Sequence, residues 1–435
     1  MKSSLLLALK LIPSFILSVG LGLASEAPQS QPVVVKGLRC EYLSEPEGID
    51  VRLPRLSWRL ESERRGVAQI AAQIRVASSA EKLTRGEADL WDSGRVDGAI
   101  SNQVVYAGRT LVSRTECFWQ VRIWDEQNQV STWSPVARWT MGLLQPSDWT
   151  AAWIAQRDHE PLHTDRAKLY LPSPRHFRKE FKAQKTVQRA VVHASALGLY
   201  DLYCNGQRVG DAFFQPGWSD YLQRAYYRSH DVTALLRSGA SNVLGAVVAD
   251  GWYAGYVGYG LLVGYGPNKV GRYFYGKTPA LRVQLEIDYT DGTRETLGTD
   301  TTWLVTDRGP TREADLIMGE SYDARAELSG WAAPNYDASA WAPALRAETN
   351  PRAHALYSDA LEQRDMDLGF VAPPKMQAYS APPIRVTQEM PAKQISEPSP
   401  GVYLFDLGQN FAGIVRLKIK GASGTQVRLR YGEML

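Results

Sequence analysis

Three cysteines in 435 residues are too few, and at Cys40, Cys117 and Cys204 too far apart, for a disulfide framework or a zinc cluster. The odd number leaves at least one thiol unpaired. Cys117 and Cys204 fall in apolar strand patterns and read as buried thiols, with a Cys40–Cys117 disulfide left open. Histidine is sparse too: the six residues show no ligand spacing, and His193, inside a strand pattern, reads as a hydrogen-bonded structural residue. The chain also lacks an excess of either charge. Its 49 basic and 46 acidic residues leave a net charge of +3, which gives no electrostatic footprint for nucleic acid or an anionic membrane. There is no Gly-x-Ser-x-Gly elbow, no phosphate-cradling glycine loop before a helix, and no helical domain of any size.

Long apolar runs are confined to the start. Lys2 precedes a mostly apolar stretch from Leu5 to Leu23, and Gly22 and Ala24 supply the small residues of a cleavage site after Ala24. Lys10 and Pro13 interrupt the run and disfavour a spanning anchor. Residues 1–24 are therefore expected to be a signal peptide and residues 25–34, rich in Ser, Pro and Gln, a linker. The mature chain is expected to be exported, periplasmic or extracellular, with no membrane partner.

What the chain has in quantity is aromatic and β-forming sequence. Its 13 Trp and 21 Tyr offer flat apolar faces on which sugar rings stack, although filling sandwich cores is the commoner use of Trp. Ala72, Ile74 and Val76 alternate with polar residues, as do Trp119, Val121 and Ile123, and this period of two marks half-buried strands. Ser79 reads as a helix start, and Trp58 and Trp119 as core residues. Leu199 to Cys204 runs into Asn205-Gly206, a two-residue hairpin signal. Leu281, Val283, Leu285, Ile287 and Tyr289 alternate before a turn at Asp291-Gly292. Asp250 to Tyr275 is rich in Gly and Tyr with little periodicity, as functional loops often are. Val415, Leu417 and Ile419, then Val427, Leu429 and Tyr431, predict two further strands.

The predicted fold class is all-β, a tandem of β-sandwiches. Residues 35–145 form a fibronectin type III or immunoglobulin-like domain, and residues 150–345 a jelly-roll, carbohydrate-binding-like domain. Residues 346–400 form an extended connection, and residues 401–435 begin a further sandwich that is cut short, because a two-stranded piece buries no apolar face by itself.

Four stretches carry a resemblance. They are Leu38–Tyr42 with Pro54–Trp58, Cys117–Asp125 and Trp133–Pro135; Tyr203–Asp211 with Pro216–Tyr221, Tyr227–Thr233 and Asp250–Gly255; Pro279–Leu281 with Gly309–Thr311 and Gly319–Arg325; and Phe405–Gly413 with Arg430–Leu435. In this order they resemble the N-terminal, non-catalytic part of the bacterial α-L-rhamnosidases of glycoside hydrolase family 78. The resemblance implies an inverting glycosidase acting on a rhamnose-containing carbohydrate, with its catalytic site in a downstream (α/α)6 barrel that is absent here. The missing C-terminal catalytic domain would then be a partner, no residue of this chain is assigned a catalytic role, and the fragment is expected to be inactive. Inversion needs an acid and a base carboxylate about 6.5–9.5 Å apart. Glu320 and Asp323 share one motif but read as turn or ion-pair residues beside Arg325, and Glu433 is a candidate strand-end carboxylate.

The sugar-contact candidates are Asp211, Trp218 and Asp220 on one loop and Asp250, Trp252 and Tyr253 on another. Together they would offer acceptors for hydroxyls and a flat surface for a ring. The resemblance also implies that calcium is possible, though no cofactor is required, with Asn205, Asp211, Asp220 and Asp250 as oxygen donors. The competing reading makes these Asp and Asn residues turn formers. At the level of the molecule, the alternative is a non-catalytic carbohydrate-binding or adhesion protein.

Overall fold

The computed structural model describes residues 33–156, 171–256, 275–348 and 373–432. The expected signal peptide, most of the linker, the middle of the Gly and Tyr rich segment and Glu433 lie outside these residues.

The first module is a sandwich of a three-stranded and a five-stranded sheet. The small sheet pairs Val34–Cys40 with Arg55–Glu61, and the latter with Val104–Val105. The larger is built on the long pair Gln69–Ala77 and Glu116–Asp125, with Ala137–Thr140 at its edge. Alternation decides what faces inward: Ala72, Ile74, Val76, Trp119, Val121 and Ile123 meet Trp58 and Trp139 in one core. Trp58 and Trp119 are 3% and 1% exposed, as their strand positions predict. Ser79 caps the short helix Ala80–Thr84, its hydroxyl accepting from Lys82 N at 3.3 Å. Cys40, Cys117 and Cys204 are all buried free thiols, so no Cys40–Cys117 bridge is formed.

The second module stacks a six-stranded on a seven-stranded sheet. Val187–Leu197 is the centre of the larger sheet, pairing antiparallel with Ala280–Tyr289 on one side and Arg224–Asp231 on the other. Leu281, Val283, Leu285 and Ile287 point into the inter-sheet core, so the alternation read from the sequence selects the buried face. Both expected hairpins form. Asn205 and Gly206 sit at φ +50° and +82°, as a two-residue turn requires. Tyr289 N donates to Thr293 O across the Asp291-Gly292 turn. The jelly roll also reaches past residue 345: Lys375–Ala378 pairs parallel to Arg224–Asp231 and closes the edge of the larger sheet, where the sequence reading placed a plain connection. Pro and Ala richness obscures such a short edge strand.

The two modules are bolted together. Arg114 of the first donates Nε and Nη2 to the two oxygens of Glu286 of the second, both at 2.6 Å, and Nη1 to Asp148 at 3.0 Å. Glu47 accepts from Arg138 of its own module at 2.7 Å and from Arg189 of the jelly roll at 2.5 Å. Beside these, Leu143 N donates to the Tyr227 hydroxyl at 3.1 Å.

The third unit is a hairpin, Gln394–Ser399 with Val402–Asp406. The strands expected at Val415–Ile419 and Val427–Tyr431 are not formed; Val415, Leu417, Ile419, Val427, Leu429 and Tyr431 are all exposed. A strand needs a ladder partner, and among the described residues no sheet offers one here.

Candidate functional site

Two loops at one end of the jelly roll bring aromatic rings to the surface. The first leaves the turn at Arg208 and is pinned at several points. Phe213 N donates to Ile384 O at 2.9 Å, and Tyr200 N to Gln215 O at 2.8 Å. The buried Gln215 side chain lies between Ala212 O and His230. This holds Phe214 at φ +55°, a left-handed conformation that turns its ring outward at 39% exposure. Trp218 follows at 54% exposure.

The second loop is the short helix Gly251–Ala254. Successive positions on it diverge: Trp252 is half-buried and reaches the surface, whereas Tyr253 is 2% exposed and packs against Tyr221. Trp218 and Trp252 are stacked, centroids 5.7 Å apart and planes 4° from parallel. Phe214 stands 6.1 Å from Trp252, and Trp218 Nε1 donates to the Tyr275 hydroxyl at 3.4 Å. The result is an aromatic shelf with a hydroxyl at its rim. Phe214 and Tyr275 were not singled out in the sequence. The only hint was the position of Tyr275 at the end of the Gly and Tyr rich segment.

The carboxylates do not join the shelf as expected. Asp250 is 2% exposed and paired at 3.0 Å with Arg175, also 2% exposed, so it is a buried structural ion pair. Asp211 is exposed but bound to Arg385 at 2.8 Å. Asp220 caps its own turn, accepting from Leu222 N at 3.1 Å and Gln223 Nε2 at 2.6 Å. Asn205 is spent on Leu235 O, Asn242 and Val243 N. The four calcium candidates therefore serve four separate local needs. Among the described residues, no group of three or more His, Cys, Asp or Glu is placed to hold a metal ion. Tyr253 is likewise a core residue and not a ligand contact.

Asp323 accepts from Arg325 N at 3.0 Å and pairs with its guanidinium at 2.7 Å, which holds the carboxyl down to about 2. Its role is the structural one the motif suggested. His193 binds the Ser229 hydroxyl at 2.7 Å within the seam between the modules.

Fold and site together define a tandem β-sandwich protein whose jelly roll, behind an immunoglobulin-like sandwich, presents stacked indoles at its surface. Three family descriptions match consecutive parts of the chain: "Rha78A-like, N-terminal immunoglobulin domain" over residues 35–145, "Alpha-L-rhamnosidase N-terminal domain" over 185–387, and "Bacterial alpha-L-rhamnosidase concanavalin-like domain" over 396–435. The chain belongs to the bacterial α-L-rhamnosidases of glycoside hydrolase family 78, of which it carries the N-terminal β domains. It is 31% identical to an α-L-rhamnosidase of Streptomyces avermitilis over 91% of this chain and 50% of that protein. Against an α-L-rhamnosidase of Alteromonas sp. strain LOR it is 33% identical, over 90% of this chain and 39% of the relative. The chain thus spans half or less of the length of these relatives. Among solved structures, the α-L-rhamnosidase of Dictyoglumus thermophilum superposes with a TM-score of 0.71 at 32% identity, covering 87% of this chain and 39% of that one. The S. avermitilis enzyme, solved with L-rhamnose, gives 0.73 at 28% identity, covering 87% and 49%.

Proposed function

We propose that this chain is the substrate-presenting, non-hydrolytic front part of an exported inverting α-L-rhamnosidase. The whole enzyme would remove terminal α-L-rhamnose from plant polysaccharides or glycosides. The observation that carries the sugar-binding part is the parallel stack of Trp218 on Trp252 with Trp218 open to solvent. Rhamnose is a 6-deoxy sugar, so one side of the ring offers C–H groups and a methyl to an indole, while its hydroxyls take the rim donors. Hydrolysis would be left to carboxylates outside this chain. The three matched domains in family order support that division, as does the engagement of Asp323, Asp250, Asp211 and Asp220 in local pairs and turns. The apolar run from Leu5 to Leu23 supports export.

Calorimetric titration of the full chain with L-rhamnose tests the reading. Binding is expected in the millimolar range, at least ten-fold weaker with Trp218→Ala, a loss of about 1.4 kcal/mol. An aryl α-L-rhamnoside is expected to remain intact. A flat trace would remove the sugar-binding role, and turnover by the purified chain would place the acid and base within these residues.

A further inference from the structure

Arg282 lies on strand Ala280–Tyr289, on the face turned away from the jelly-roll core. Its neighbours on that face are fully engaged. Gln284 holds Thr150 and Ala151 by their backbone N–H groups, and Glu286 takes Arg114. The Arg282 guanidinium lies against two indoles, 4.9 Å from the ring centroid of Trp149 and 5.9 Å from that of Trp153. Its Nε donates to Ala151 O at 2.9 Å. Among the described residues no carboxylate pairs with it, and neither Nη nitrogen has an acceptor. Trp149, 8% exposed, adds a buried indole N–H that also lacks an acceptor among the described residues.

Arg122 also lies against two indoles, Trp124 and Trp133, without a carboxylate, but its guanidinium donates to Gln73 Oε1 at 2.8 and 3.0 Å, an acceptor that the Nη nitrogens of Arg282 lack. Arg114, Arg294 and Arg325 each fork onto a carboxylate. Arg228, which likewise has none, is met by the ring of Tyr379 at 3.9 Å. Arg282 is half-buried and its Nη end stays open to solvent, so a ligand can reach it and supply the missing counter-charge. Burial alone pulls the Arg282 guanidinium down to about 10, with no neighbouring charge opposing it. Its flat end, Nη1 and Nη2, matches the two oxygens of a carboxylate, and two indoles lie within cation–π reach of it.

We propose that Arg282, flanked by Trp149 and Trp153, is a binding site for the carboxylate of an acidic ligand, received end-on by Nη1 and Nη2. The site is distinct from the aromatic shelf and stands independently of rhamnose binding there.

The test titrates the full chain at pH 7 with D-galacturonate and, separately, with acetate, by calorimetry and tryptophan fluorescence. Both are expected to bind and to perturb the fluorescence through Trp149 and Trp153. Binding is expected to weaken at least ten-fold with Arg282→Gln, and several-fold with Arg282→Lys, which keeps the charge but not the fork. Tighter binding of galacturonate than acetate would identify an acidic sugar as the ligand, and equal affinity a carboxylate alone. L-rhamnose titrations are expected to be the same in all three proteins. If Arg282→Gln loses its near-UV circular dichroism, the Lys variant carries the comparison. Absence of binding by both acids to the unaltered chain, or affinity indifferent to substitution at Arg282, overturns the site.

Discussion

Residues of the same type serve opposite ends here, and burial separates them. Trp252 and Tyr253 are adjacent, yet one joins the surface stack and the other fills a core. Asp250, two positions before Trp252, looks in sequence like a sugar or calcium ligand and is instead the buried partner of Arg175. Losing one partner of such a buried pair costs about 3–5 kcal/mol. Asp250→Asn is therefore expected to lower the urea midpoint strongly, while Asp211→Asn, whose pair with Arg385 is exposed, is expected to shift it little. Equal shifts in the two denaturation curves would contradict the assignment of Asp250.

At the level of elements, the jelly roll depends on how its central strand ends. Gly198 separates Val187–Leu197 from Leu199–Cys204 at φ +127°, and a Cβ there would collide with Ala249 O. Both the conformation and the space exclude a side chain. Gly198→Ala is expected to destabilise by about 1–3 kcal/mol. The contrast is Gly292, at φ +80° with nothing near its Cβ position, where only the conformational cost of about 1 kcal/mol applies. Chemical denaturation of the two variants measures the difference. The strands themselves were legible because residues such as Leu281, Val283, Leu285 and Ile287 declare a period of two. Lys375–Ala378 was not, because a short edge strand pairing parallel with a distant segment leaves no local pattern.

For the whole molecule, the seam makes the first two modules one mechanical body. Burial pushes the Glu286 carboxyl up, but the hydrogen-bonded Arg114 guanidinium and the His193 ring, 3.9 Å away, outweigh it and hold the group well below the usual carboxylate range. A depressed carboxyl contributes stability that is complete above its unfolded value, about 4.3, and is lost as pH falls through the lower folded value. Calorimetry is expected to show the two modules melting together from pH 8 down to about 5, and separating only in stronger acid. Glu286→Gln is expected to separate them at neutral pH. One unbroken transition in that variant would show that the seam rests instead on the Glu47–Arg189 bridge and on apolar contacts such as those of Trp149 and Tyr227.

The order of the domains, their all-β character, the hairpins at Asn205-Gly206 and Asp291-Gly292 and the core Trp residues were all written in local sequence, because periodicity and turn chemistry act over a few neighbours. The site was legible only in outline. Sequence placed Trp218 and Trp252 on two loops but had no means of telling that their rings would stack, that Phe214 and Tyr275 would join them, or that Asp250 would face Arg175 across the interior. Those outcomes depend on which distant backbones the sheets bring side by side. The same holds for Arg282, whose lack of a counter-charge is a property of everything packed around it.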